Sequence, residues 1–351
     1  MKKALSIGLI LSILLLLFTS CSDPAPEKIT PQSVTWYEYF GTVSVVQSFA
    51  GDDRSSFTAT TDRVRELLKE YNELYDIYHE YSGVNNIRTI NKNAGVRPVT
   101  VDQRIIDLLK YGIEVYELTS GEVNIMMGAT LRLWHDAREG EDDGSHVLPS
   151  DGELLISAAH TDISSLVINE EESTVYISDP EASLDVGAIA KGFATDRIAE
   201  AIVADKELTS DGYVLNIGGN IKLIGTKQGN SWNVGITNPD KTSEEKYATM
   251  IEAANTSIVT SGDYERYFTV DGKNYHHIID KDTLYPASLY HSITVVCESS
   301  ALADALSTAL FCMEKNAGYD FVNNLDGVEA YWISTNGNPV ASPGFPLASE
   351  K

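Results

Sequence analysis

Cysteine is scarce in this chain of 351 residues. There are three, at positions 21, 297 and 312, with no CxxC pair and no Cys/His cluster. That spacing excludes a zinc knuckle or a dithiol redox centre. Cys297 and Cys312 each sit in an apolar run, where they read as two buried free thiols or, in an oxidising compartment, as a pair. Basic residues are also few: 26 Lys and Arg against 51 Asp and Glu, for a formal net charge of −25. Such a surface favours solubility and repels nucleic acid and anionic lipid head groups. It opposes an anionic ligand too, unless a metal ion or local cations offset the field. No GxGxxG follows a strand-like run, so a Rossmann dinucleotide site is not indicated. Internal repeats and low-complexity blocks are absent.

Long apolar runs are limited to one, Ala4 to Phe18, shorter than the roughly 20 residues a spanning helix needs. Lys2 and Lys3 precede it and Thr19-Ser20-Cys21 follow, the layout of a signal peptide over residues 1–20. The Cys at the junction resembles a bacterial lipoprotein signal, although Phe18 stands where Leu is usual. Cys21 would then be lipidated, as with palmitate, and hold the protein to the membrane on its periplasmic or exterior side. Residues 21–33 are polar and Pro-bearing, as a flexible tether should be. The remainder, 34–351, is long enough for one large domain.

Residues 34–50 read as β-structure, 59–80 and 102–118 as amphipathic helices, and 136–152 as an acidic surface loop. A small helix and strands are expected over 153–178, then a helix from about Ile189 to Ala204. Tyr213 to Gly225 reads as strand, Gly-Gly turn, strand. Further strands are expected at 231–237, 247–252, 257–260, 265–270 and 290–297, followed by a helix over 300–313 and a last helix and strand. Strands in runs with interspersed helices predict an α+β fold with largely antiparallel sheets.

Three stretches carry chemistry. In DVGAIAKGFATD (185–196), Gly187 permits a bend beside Asp185 and a helix follows. The free N–H groups and positive dipole end of that helix suit phosphate, and Lys191 adds a point charge. Asp185 suits donors on a ring or ribose. An ordinary loop–helix junction has the same look. Asp304 and Thr308 lie one helical turn apart on one face. One carboxylate and one hydroxyl are weak as a protein-only cage, but they suit Mg²⁺, which completes its shell with water and phosphate oxygens. A backbone carbonyl from the 187–190 turn can add an oxygen. In HHIID (276–280), His277 can take a proton from an attacking hydroxyl, and His276 is equally titratable. An extended HIID would put His277 and Ile279 on one face and Ile278 and Asp280 on the other. Asn216 to Asn220 offers two glycines for a hairpin turn or for close approach by a ligand. Arg266 lies in SGDYERY, as a ligand group or as strand decoration.

The order DVGAIAKGFATD, NIGGNI, TSGDYERYF, YHHIID-x-x-T-x-YP, ADALSTALF resembles the ApbE family of FAD:protein FMN transferases, from Phe40 to about Met313. TSGEVNIMMG and LRLWHDAR in 119–138 add to the likeness. The resemblance implies a single large α+β domain, Mg²⁺ as cofactor, FAD as substrate, and an acceptor protein that takes FMN through a phosphoester on Thr or Ser as AMP leaves. It implies that Asp185 and Lys191 contact FAD, that Asn124 lines the flavin site with Ile278 behind it, and that His277 serves near the scissile phosphate. It also implies that the Ala188 carbonyl, Asp304 and Thr308 hold the metal. Phe40 and residues 81–85 fall where the family has further flavin contacts. The family's usual clients are subunits of respiratory Na⁺-pumping or electron-transfer complexes. Two departures fall in the turn after His277: Lys281 stands where Pro is usual and Leu284 where Gly is usual. Rival expectations from the same residues are a Mg²⁺-dependent FAD pyrophosphatase, a flavin-binding lipoprotein without catalysis, and a structural surface lipoprotein.

Overall fold

The structure is a computed structural model that describes residues 31–49, 51, 53–140, 145–208, 211–336 and 339–348. Cys21 and the expected signal peptide lie outside the described residues. Among those described, no helix is long and apolar enough to cross a membrane.

Among the described residues the first element is a hairpin, β1 (Gln32–Tyr39) and β2 (Thr42–Ser48), so β1 begins inside the stretch expected to be tether. Helix α1 follows (Arg54–Tyr75), capped by Asp53, whose side chain accepts from Ser56 N–H. Then come α2 (Ile87–Lys92), β3 (Val99–Thr100), α3 (Gln103–Leu118), α4 (Gly128–Glu139), α5 (Asp151–Ala158), β4 (Leu166–Asn169) and β5 (Thr174–Ile177). Helix α6 (Ala190–Ala204) leads to β6 (Tyr213–Ile217), β7 (Asn220–Ile224), β8 (Trp232–Thr237) and β9 (Tyr247–Ala253). After β10 (Ser257–Gly262) come β11 (Tyr267–Val270), β12 (Lys273–His276) and β13 (Tyr290–Cys297). Helices α7 (Ser300–Cys312) and α8 (Lys315–Asn323) and strands β14 (Glu329–Ser334) and β15 (Pro339–Ala341) close the chain.

The main sheet runs β1-β2-β6-β7-β10-β13-β14-β15, and every pairing in it is antiparallel. Smaller ladders are β3-β5-β4, β8-β9 and β11-β12. The α+β expectation therefore holds. One face of the sheet packs on α1, α3 and α6 through Val46, Leu68, Ile105, Leu109, Ile198 and Leu215. Farther along, α7 and α8 cover β13 and β14 around Ile293, Leu306, Phe311 and Trp332. Each large apolar side chain buried this way contributes about 1.5–3 kcal/mol, and this, more than propensity, holds the helices.

Two boundaries differ from expectation for local reasons. Helix α1 begins at Arg54 rather than 59, through SSFTATT, whose Ser and Thr are poor helix formers. There the Thr58, Thr60 and Thr61 hydroxyls donate back to the carbonyls of Arg54, Ser56 and Phe57. It ends at Tyr75 because Asp76 turns the chain: its Oδ1 accepts from the N–H groups of Tyr78 and His79 at 2.6 and 2.9 Å. Tyr78 therefore leaves the helix face it was expected to share. The acidic loop is also shorter than 136–152, since α4 runs to Glu139 and a Ser150–Glu153 capping box starts α5.

Between β6 and β7 the chain reverses at Gly218 and Gly219, with φ of 58° and 89°. Asn216 Oδ1 accepts from Gly219 N–H at 3.0 Å. Only glycine adopts both conformations without strain. The turn sets Asn220 at the head of β7.

Candidate functional site

A cavity of about 590 Å³ opens where α6, α7, the β6–β7 turn and the segments 122–127, 260–266 and 275–279 meet. Asp185, Ala188 and Lys191 line it, together with Asn124, His277, Ile278, Asp304 and Thr308. These are the residues to which the resemblance gives a catalytic, nucleotide or metal role within the domain. Phe40 and residues 81–85 are not among its lining residues; Phe40 packs against the main core, and the Tyr81 hydroxyl donates to Asp76 at 2.7 Å.

Asp185 is half-buried before the first turn of α6, and its Oδ1 accepts from Gly187 N–H at 2.8 Å. Burial pushes its carboxyl above the ordinary carboxylate range, against that hydrogen bond and the charges of His135 and Lys191. Helix α6 begins at Ala190 with no side-chain cap on its N-terminus. One N–H of that first turn, from Gly192, donates to Asp304 Oδ2 at 2.8 Å. Part of the helix end expected to hold phosphate thus faces a carboxylate of α7. Gly192 makes this approach feasible: a Cβ there would overlap the Ser300 carbonyl oxygen and lie 2.6 Å from Asp304 Cβ.

Asp304 is 4% exposed. Its Oδ1 has only long contacts, 3.5 Å to Lys191 Nζ and 3.4 Å to Asn220 Nδ2. Burial raises its pKa even though Lys191 lies beside it. A buried carboxylate so thinly paired is costly. Thr308 Oγ1, one turn on, donates to the Asp304 carbonyl at 3.4 Å. Among the described residues no group of three or more His, Cys, Asp or Glu forms a metal cluster. One carboxylate, one hydroxyl and one carbonyl, all oxygen, fit a hard cation that keeps most of its shell for water and substrate, as Mg²⁺ does. Charge leads the same way. The lining holds three cations, Arg138, Lys191 and Arg266, against four acids, Glu122, Asp185, Glu265 and Asp304. A diphosphate is not neutralised by that balance without a further positive charge.

Both histidines touch the cavity lining, but their ring nitrogens are engaged differently. His276 ends β12 inside the core, with Nε2 bonded to the Ala287 carbonyl at 2.7 Å and Nδ1 accepting from Ile278 N–H at 3.2 Å. It is structural. His277 sits at a bend just past the strand and opens onto the cavity. Although its ring is exposed, desolvation within the cavity, then the nearby charges of Arg266, Lys191 and Arg138, hold it below the usual histidine range. A neutral imidazole in that position is ready to accept a proton. The HIID segment is not a regular strand: Ile278 and Ile279 are both buried, in different apolar clusters. Asp280 caps the following turn, its Oδ1 accepting from Asp282 and Thr283 N–H.

The two departures in that turn have physical accounts. Leu284 has φ of 62°, the left-handed region that glycine favours. It is held there because its carbonyl accepts from Trp134 Nε1 at 2.9 Å and its side chain is buried with Trp134, Phe268 and Ile279. Lys281 pairs with Asp282 at 2.8 Å and Glu122 at 3.4 Å, tying the turn to the cavity wall. Leu284→Gly relieves about 1–2 kcal/mol of strain but gives up the roughly 2–5 kcal/mol of a buried leucine. The denaturation midpoint therefore falls, by an amount worth up to about 4 kcal/mol. A rise would show that strain, not packing, governs the turn.

Asn124 lines the wall, but both ends of its amide are engaged, with the Thr161 carbonyl at 2.9 Å and Met126 N–H at 2.9 Å. Its polar groups fix the wall's backbone. Sequence reasoning missed Tyr78, stacked on His135 at 4.6 Å at the cavity, because the helical pattern absorbs it. It also missed Asp196. This buried acid accepts from Ser300 and Ala301 N–H and the Ser299 hydroxyl and pairs with Lys222, so it clamps the N-terminus of α7 to α6. Asp196 lies one helical turn past Gly192, and that spacing was the available signal. Cys297 and Cys312 are both free and buried; burial pushes the Cys297 thiol up to about 12.

Comparison with known proteins gives the family. The model of the ApbE family matches residues 40–332. A FAD:protein FMN transferase of Treponema pallidum is 30% identical over 320 residues, covering 87% of this chain and 85% of its own length. One of Vibrio cholerae is 30% identical over 306 residues, covering 87% and 86%. Among solved structures, an ApbE protein of Thermotoga maritima superposes with a TM-score of 0.77 at 28% identity, over 90% of this chain and 97% of that one. The flavin transferase ApbE of Vibrio cholerae superposes with 0.73 at 27%, over 90% and 99%.

Proposed function

Because the chain belongs to the ApbE family, we propose that it is a Mg²⁺-dependent FAD:protein FMN transferase. The observation that carries this reading is the convergence, in one cavity, of the 185–191 segment, His277 and the Asp304–Thr308 pair. FAD is the substrate, and a Thr or Ser hydroxyl of a target protein is the acceptor.

In this reading the acceptor oxygen bonds to the phosphorus on the FMN side of the diphosphate. The bond from that phosphorus to the bridging oxygen breaks, and AMP leaves with that oxygen. His277 takes the hydroxyl proton. Lys191 sets positive charge against the diphosphate, and Asp185 holds donors of the nucleotide. The Ala188 carbonyl, Asp304 and Thr308 would hold Mg²⁺, which would neutralise phosphate charge there. Positioning and charge neutralisation do most of the catalysis, as in other phosphoryl transfers.

The same residues serve water as acceptor equally well, so the test must separate transfer from hydrolysis. The protein is incubated with FAD and Mg²⁺, with and without a target subunit of a respiratory Na⁺-pumping or electron-transfer complex. FMN bound covalently to a Thr or Ser of the target supports the reading. FMN released free in both cases makes the protein a pyrophosphatase.

We also place the protein at the membrane through lipid on Cys21, from the sequence pattern at residues 1–21 alone. Cys21→Ala should move it from the membrane to the soluble fraction. Unchanged partition, with no labelled palmitate taken up by the parent, rejects the lipid attachment.

A further inference from the structure

Asn220 is 1% exposed, lines the cavity, and its Oδ1 has no hydrogen-bond partner. An orphaned buried acceptor is costly, so its persistence needs a reason. The backbone sets the residue at the cavity. Asn220 follows the Gly218–Gly219 reversal and is registered against Ile217 of β6 and Val259 of β10. Its other amide end, Nδ2, reaches Asp304 Oδ1 at a long 3.4 Å.

We propose that Asn220 supplies a further oxygen ligand to the divalent cation, beside Asp304; this rests on the reading of Asp304 as the metal acid. Without a cation the amide turns its NH₂ toward the carboxylate, because oxygen against oxygen is repulsive. With a cation at Asp304, a half-turn of the amide exchanges a long hydrogen bond for a metal–oxygen contact and uses the orphaned atom. Asn220 would then add one protein oxygen to those of Asp304, Thr308 and Ala188, with the rest of the cation's shell left to water and phosphate oxygens.

The test is titration of the flavin-free protein with Mg²⁺ alone, by calorimetry and by the rise in Tm that Mg²⁺ produces. Asn220→Ala is expected to weaken Mg²⁺ roughly tenfold or more and to shrink the Tm rise. Mg²⁺ affinity equal to the parent's overturns the proposal. If Asn220→Ala does not fold, Asn220→Asp decides: with a carboxylate oxygen at the ligand position it should bind Mg²⁺ more tightly, and equal or weaker binding overturns the proposal. Asp304→Ala in the same titration separates the two claims. Parent-like Mg²⁺ affinity there removes the metal reading itself. Loss there with no loss in Asn220→Ala removes only the role of Asn220.

Discussion

Asp304→Ala should abolish Mg²⁺-dependent flavinylation of a Thr-bearing acceptor. Asp304 is the one carboxylate among the oxygens proposed to hold the cation. The cavity's three cations do not outnumber its four acids, so loss of the metal leaves the diphosphate charge opposed only by Lys191, Arg138 and Arg266. A metal contributes several kcal/mol of charge stabilisation in such a reaction, and about 4 kcal/mol is about 10³ in rate. The measurement is flavin fluorescence of the acceptor band after electrophoresis, across Mg²⁺ concentrations. Because the carboxylate also accepts from Gly192 N–H, Asp304→Asn is the companion variant. It keeps an oxygen for that bond while removing the charge, and it should be nearly as inactive. Full activity in either variant removes the metal from the mechanism.

His277→Ala should slow transfer by about 10²–10⁴-fold, the usual worth of a positioned base, while FAD affinity changes less than tenfold. His277 ends in the open cavity, whereas its neighbour His276 is locked to Ala287 and Ile278, so only one of the two can act on a substrate. Equal losses in rate and in FAD binding would make His277 a binding residue. The pH profile adds a sign. A base works only when unprotonated, and the walls and cations around His277 lower its pKa. The acid limb it sets therefore lies below pH 6.5, and transfer holds its rate as pH falls through that value. A limb centred at 6.5 or above would contradict the environment described. For stability the same shift runs the other way. Below pH 6.5 the unfolded chain takes up a proton at this position that the folded one resists, so acidification disfavours the fold.

Much of this was legible in the sequence. Helix α7 and its Asp304–Thr308 spacing, α6 and its Lys191, and the β6–β7 reversal are local patterns with a single period or a glycine pair, and the structure keeps them within a residue or two. What was not legible depends on contacts far apart in the chain. Asp196 caps a helix more than a hundred residues later. Asn220 acquires its meaning only from Asp304, which lies 84 residues on. Tyr78 was assigned to a helix that a single Asx turn ends early. The left-handed Leu284 cannot be read from its own identity, since its strain is offset by Trp134, 150 residues away. Strand β12 and helices α2 and α4 were missed because the first two are short and the third lies among residues read only as a motif.

The most direct measurement is a crystal structure of the protein soaked with FAD and Mn²⁺, the ion located by its anomalous scattering. The account requires one anomalous peak within coordination distance of Asp304 and Thr308, with the diphosphate of the flavin nucleotide against it and facing Lys191. A flavin bound away from the 185–191 bend, or a metal peak that shares no ligand with Asp304, would contradict it.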